Sequence, residues 1–150
     1  MKLKKVNVNV TGTFNVTLSN ENGEITLNSV GEISSIELDG NTSYNISGKV
    51  SSVGNIVINY NLSGKVSSIG NLVINYNLSG KISSIGNIPV NYNLSGKVSS
   101  IGNVTIGYNL SGKVSSIGNN IIGYNLSGKV SSGNRTVKIN DISFSLKGGY

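Results

Sequence analysis

A lysine stands at positions 49, 65, 81, 97, 113 and 129 of a chain of 150 residues, and no carboxylate falls between residues 40 and 140. Six ammonium groups at one fixed spacing, within a net charge of +6, form a basic ladder able to attract a polyanion such as an acidic glycan or a charged cell surface. The plainer reading of Lys49, Lys65, Lys81, Lys97, Lys113 and Lys129 is that they keep a sheet soluble and block edge-to-edge association. Nucleic acid is disfavoured as a partner, because the tyrosines share the parity of the apolar residues and so do not interleave the lysines as exposed stacking platforms.

Asparagines at the same period open Asn-X-Ser sequons at Asn45, Asn61, Asn77, Asn93, Asn109 and Asn125, which would accept glycans on an exported chain. The acidic residues cluster elsewhere: Glu21, Glu24, Glu32, Glu37 and Asp39 come before the regular repeats and Asp141 after them. Glu32, Glu37 and Asp39 of one molecule could meet Arg135 and Lys138 of the next, a head-to-tail contact that propagates into a homopolymer. Catalysis has little to build on. Without histidine or cysteine the usual general base, the strongest nucleophile and the common transition-metal ligands are all missing, so the expectation is a non-enzyme with no cofactor and no metal.

The element that must position these residues is a sixteen-residue unit, plainest from Tyr60 to Asn75, with tyrosines at 44, 60, 76, 92, 108 and 124. A fixed period of this kind marks a stacked repeat architecture. Val, Ile, Ser, Asn and Gly dominate the unit, a composition of strands and turns. Along it Ile56, Ile58, Tyr60, Leu62, Gly64 and Val66 share one parity, while Asn59, Asn61, Ser63, Lys65 and Ser67 share the other. An even period preserves that parity on every lap. The sequence is therefore read as a β-solenoid of about seven coils over residues 24–132, with corners near Ser63-Gly64 and Gly70-Asn71.

Residues 1–23 would be an N-terminal capping or donor strand and residues 133–150 a C-terminal cap. The Tyr60 hydroxyl would reach Ser68 across the coil, and Asn59 and Asn61 would form outward amide ladders. The alternative fold is an antiparallel β-meander of short hairpins. If Ser63-Gly64 is a two-residue turn, that meander pairs Leu62 with Lys65 and segregates apolar residues less well. No apolar run is long enough for a membrane-spanning helix, and Val6-Asn-Val-Asn-Val10 alternates where a signal peptide needs an unbroken apolar core, so the chain as given reads as cytoplasmic. An extracellular or surface fibre is the alternative placement.

The cadence Gly64-Lys-Val-Ser-Ser-Ile-Gly-Asn71 followed by an apolar triplet resembles short-repeat β-solenoid proteins and, more loosely, the bactofilins, whose compact β-helices join end to end into filaments. The resemblance spans residues 24–139 and is one of pattern. It implies a structural subunit that self-assembles end to end into filaments. A binding module with a repetitive face is the alternative from a different class: an adhesin holding an acidic glycan through the lysine ladder, or an ice-binding surface.

Overall fold

The computed structural model describes residues 1–150, and every regular element is a β-strand. The chain opens with β1 (Lys2–Asn9), β2 (Phe14–Asn20), β3 (Gly23–Asn28) and β4 (Ile33–Leu38). The repeats follow with β5 (Thr42–Tyr44), β6 (Val50–Val53), β7 (Ile56–Tyr60), β8 (Val66–Ile69), β9 (Leu72–Tyr76) and β10 (Ile82–Ile85). They continue through β11 (Ile88–Tyr92), β12 (Val98–Ile101), β13 (Val104–Tyr108), β14 (Val114–Ile117), β15 (Asn120–Ile121), β16 (Gly123–Tyr124) and β17 (Val130–Ser132). Strands β18 (Thr136–Ile139) and β19 (Ile142–Lys147) close the chain.

Each repeat makes two strands because it carries two different turns. Between β8 and β9, Ile69 pairs with Leu72 across Gly70-Asn71, and Gly70 takes φ 58 at the first central position, where a type II′ hairpin needs a positive φ. Between β7 and β8, Tyr60 pairs with Val66 across five residues, with a register shift next to Asn59. The pairings are antiparallel and join strands adjacent in sequence, as in the alternative meander: Ile58 lies opposite Ile69, whereas one coil per repeat would set it beside Ile74 in parallel. The pair Leu62–Lys65 expected of a two-residue turn does not form, because Tyr60 and Val66 are the last pair and the connection is five residues long. Parity is then restored, with Ile58, Val66 and Ile69 all buried.

The backbone divides into two compact units, Met1–Leu3 with Val16–Asn87 and Lys4–Asn15 with Ile88–Tyr150. In the first, β2, β3 and β4 are successive neighbours, as are β5 to β10, and neither set closes into a barrel. Val16, Leu18, Ile25 and Leu27 of the one set and Ile58, Val66, Ile69, Ile74, Ile82 and Ile85 of the other are almost wholly buried. In two of the long hairpins of this unit the first N–H of the second strand, beside the register shift, reaches the other set. Val66 donates to the Gly31 carbonyl at 3.0 Å and Ile82 to Ser29 at 2.9 Å.

The second unit uses the same devices. Strand β1 pairs in parallel with β19, Val6 beside Phe144 and Val8 beside Leu146, and β19 pairs antiparallel with β18 through a tight turn at Asn140-Asp141. The successive antiparallel strands β11 to β15 and the pair β16–β17 make up the rest. Here Val98 donates to Gly12 at 3.2 Å, Val114 to Val10 at 2.9 Å and Val130 to Gly149 at 2.7 Å. Residues 1–23 contain two strands with a turn at Thr11-Gly12, where Asn9 donates to the Thr13 carbonyl at 2.8 Å.

Candidate binding surface

The five-residue loop between the strands of each long hairpin is the most regular object in the molecule. In loop 61–65 the Asn61 N–H donates to the Lys65 carbonyl at 2.8 Å and the Gly64 N–H donates to the Asn61 carbonyl at 2.9 Å. The Asn61 side-chain Oδ1 accepts from the N–H groups of Ser63 and Lys65, both at 3.0 Å. Asparagine suits this place because its short amide mimics a backbone turn, and Gly64 takes the left-handed φ of 80 that closes it. Asn77, Asn93, Asn109 and Asn125 make the same pair of side-chain bonds in their loops. Asn45 caps Lys49 likewise at 3.0 Å.

With its backbone satisfied internally, each loop presents one apolar side chain that touches nothing. Leu62, Leu110 and Leu126 are as open as in an extended peptide, at 109%, and Ile46, Leu78 and Leu94 match them at 108%. The expected inward place of Leu62 is thus corrected. It sits in the connection, outside the strand alternation on which that expectation rested. The signal was present in the sequence, since Asn-Leu-Ser-Gly-Lys combines an asparagine cap with a glycine two residues before the next strand.

The lysines lie along the same loops and are partly committed. Lys49 Nζ donates to the Gly64 carbonyl of the next loop at 2.6 Å and rests 5.2 Å from the centre of the Tyr60 ring. Lys113 donates to Gly128 at 2.8 Å and lies 5.3 Å from the Tyr124 ring, while Lys97 bridges in the same way to Gly112 and Tyr108. A cation over an aromatic face with a carbonyl beside it is well held, yet its charge remains at the loop. Under each lysine the tyrosine hydroxyl donates to the preceding hairpin: Tyr60 to Val50 at 2.7 Å, Tyr124 to Val114 at 2.6 Å. Burial pushes the phenols of Tyr76 and Tyr108 up to about 12 and also raises Tyr60, Tyr92 and Tyr124, the nearby Arg135 opposing the rise at Tyr124.

Lys49, Lys65 and Lys81 with Asn45, Asn61 and Asn77 thus line the loops of the first unit; Lys97, Lys113 and Lys129 with Asn93, Asn109 and Asn125 line those of the second. The expected hydroxyl bond from Tyr60 to Ser68 is replaced by its bond to Val50, and Ser68 instead accepts from Asn59 Nδ2 at 3.0 Å, so Asn59 pairs across its hairpin. Asn61 likewise caps its own turn, and the two expected amide ladders are corrected. Glu32 accepts from Asn28 Nδ2 at 2.9 Å beside a cavity of about 350 Å³ walled by Ile33, Ile36, Val50 and Tyr60. Glu37 lies on β4 opposite Glu24, and the Asp39 N–H donates to Asn22 at 3.0 Å.

Arg135 is taken up within its own unit. Its guanidinium donates to Gly148 at 2.9 Å and to Gly149 at 3.2 Å and stacks 4.0 Å from the Tyr150 ring, leaving exposed Lys138 as the open cation of the expected assembly pair. No protein-family description, curated protein or solved structure matches this chain.

Proposed function

We propose that the chain is a non-catalytic binding module that grips an extended partner through its repeated hairpin loops, on a scaffold read as a β-meander. One observation carries this reading: six loops share one conformation, and each holds a fully exposed Ile or Leu. The six apolar tips recur at one spacing on loops of one conformation, and identical weak contacts in series multiply into avidity. The lysines add a positive field to the same loops.

Biolayer interferometry of the whole chain against a sulfated polysaccharide, a carboxylated polysaccharide and an anionic phospholipid surface tests the proposal. Binding to one of these surfaces is expected to weaken steeply with added salt and to fall more than additively as loops are altered two at a time. A variant with all six tips changed to serine that binds as well as the parent would sink it.

Self-assembly into filaments is the second reading, favoured by β5. This strand is exposed along its whole length and pairs on one side only, with β6, so its other edge offers free backbone groups to a second copy. Sedimentation over a range of concentrations, beside Ser43→Pro, decides it. Association that the proline leaves unchanged would remove this edge as the contact.

A further inference from the structure

Resting on the loop-binding reading, we infer that the partner is an anionic lipid surface, into which the loop leucines insert while the lysines meet the headgroups. The tips do not form a continuous patch. Successive long hairpins are separated by two strands, so neighbouring leucines in a unit stand roughly 10 Å apart, with Ser63-type and Asn61-type polar residues between them. A rigid protein partner would need a separate pocket for each tip, whereas fluid acyl chains close around each protruding side chain independently.

Area argues the same way. Each leucine offers roughly 100 Å² of apolar surface, so the three tips of one unit fall well short of the roughly 800 Å² per partner that a stable dimer buries.

Charge supplies the specificity. The amino groups of Lys49, Lys97 and Lys113 are drawn onto the glycine carbonyls of the next loop, which places each ammonium two residues from a leucine tip. An apolar tip with a cation at its base is the arrangement that seats a chain at an anionic interface, the tip among the acyl chains and the charge at the phosphates. No carboxylate between residues 40 and 140 opposes it.

Because the chain contains no tryptophan, Leu110→Trp places a single reporter at one tip. The full-length protein is mixed with vesicles of phosphatidylcholine alone and of equal parts phosphatidylcholine and phosphatidylserine, and its cosedimentation and tryptophan emission are followed. Cosedimentation with the anionic vesicles only, a blue-shifted emission and quenching by brominated acyl chains are expected. Each Leu→Ser change at positions 62, 78, 94 and 110 should weaken partitioning roughly five- to tenfold, and circular dichroism should show the fold unchanged.

Equal cosedimentation of the parent and the fourfold serine variant would overturn insertion. A blue shift that appears without vesicles and grows with protein concentration would assign the tips to a second copy, and would likewise overturn it. Indifference to both vesicles together with retention on a sulfated polysaccharide, lost in Lys113→Gln, removes the lipid and leaves the loop-binding reading standing. Binding to none of these surfaces removes both.

Discussion

Two leucine-like residues a few positions apart have opposite fates here. Ile58 is 2% exposed inside the hairpin while Leu62 stands free, so Ile58→Asp should lower stability by more than about 4 kcal/mol, and Leu62→Asp should stay within about 0.5 kcal/mol. Urea unfolding of the two variants checks this, and equal losses would refute the loop assignment. The tyrosines give a pH signature. The phenols of Tyr76 and Tyr108 are raised from 10.0 to about 12 by burial, so the folded state holds those protons more tightly than the unfolded one. Their stabilising contribution is complete below pH 10 and is lost as pH climbs through about 12. Urea midpoints from neutral to alkaline pH should fall across that window, in step with tyrosinate absorbance, and fall less steeply in Tyr76→Phe/Tyr108→Phe.

At the scale of elements, the turns decide the strands. The two corners placed near Ser63-Gly64 and Gly70-Asn71 from the sequence are the two places where the chain reverses, because glycine with a small polar neighbour has a local signature that needs no tertiary context. The length of the first turn was not legible in the same way. Asn61 and Lys65 look like strand residues by alternation, and the bonds made by Asn61 Oδ1 together with the left-handed Gly64 close them into a turn. Two residues versus five changes which side chains face inward: with five, Ile58, Val66 and Ile69 of the antiparallel pair β7–β8 are all buried. Asn61→Ala, which strips two backbone donors of their acceptor, should cost about 1–2 kcal/mol. The Asn140-Asp141 turn is a contrasting case: both residues have positive φ, at 53 and 64, and Asp141→Gly should raise stability by about 0.5–1 kcal/mol. Thermal unfolding of each variant measures both effects.

For the molecule as a whole, the repeats are only part of the architecture. The alternation of Val6, Val8, Phe14, Val16 and Leu18 identifies the chain's start as strand from the sequence. Its parallel pairing with β19 joins residues more than a hundred positions apart and leaves no local trace. The C-terminal residues are similarly tied in. Val130 donates to Gly149, and Arg135 holds both Gly148 and Gly149 while stacking on Tyr150. Deleting residues 148–150 should therefore lower the melting temperature by roughly 5–10 °C, since the charge-assisted bonds of Arg135 and the acceptor of the Val130 N–H are lost together. An unchanged melting temperature in calorimetry would mean that Arg135 finds other partners.

The inward N–H groups of Val66, Ile82, Val98, Val114 and Val130 each have one acceptor, at Gly31, Ser29, Gly12, Val10 and Gly149 respectively. Those acceptors belong to the irregular parts of the chain and do not recur with the period. The irregular parts therefore hold one acceptor for each of these five hairpins and none to spare among these pairings. A duplicated unit, which slippage in so repetitive a gene would readily produce, would add a hairpin whose leading amide has no carbonyl to meet and whose apolar face has no matching strand. The near-identical repeats are thus anchored by residues that are not repeated at all.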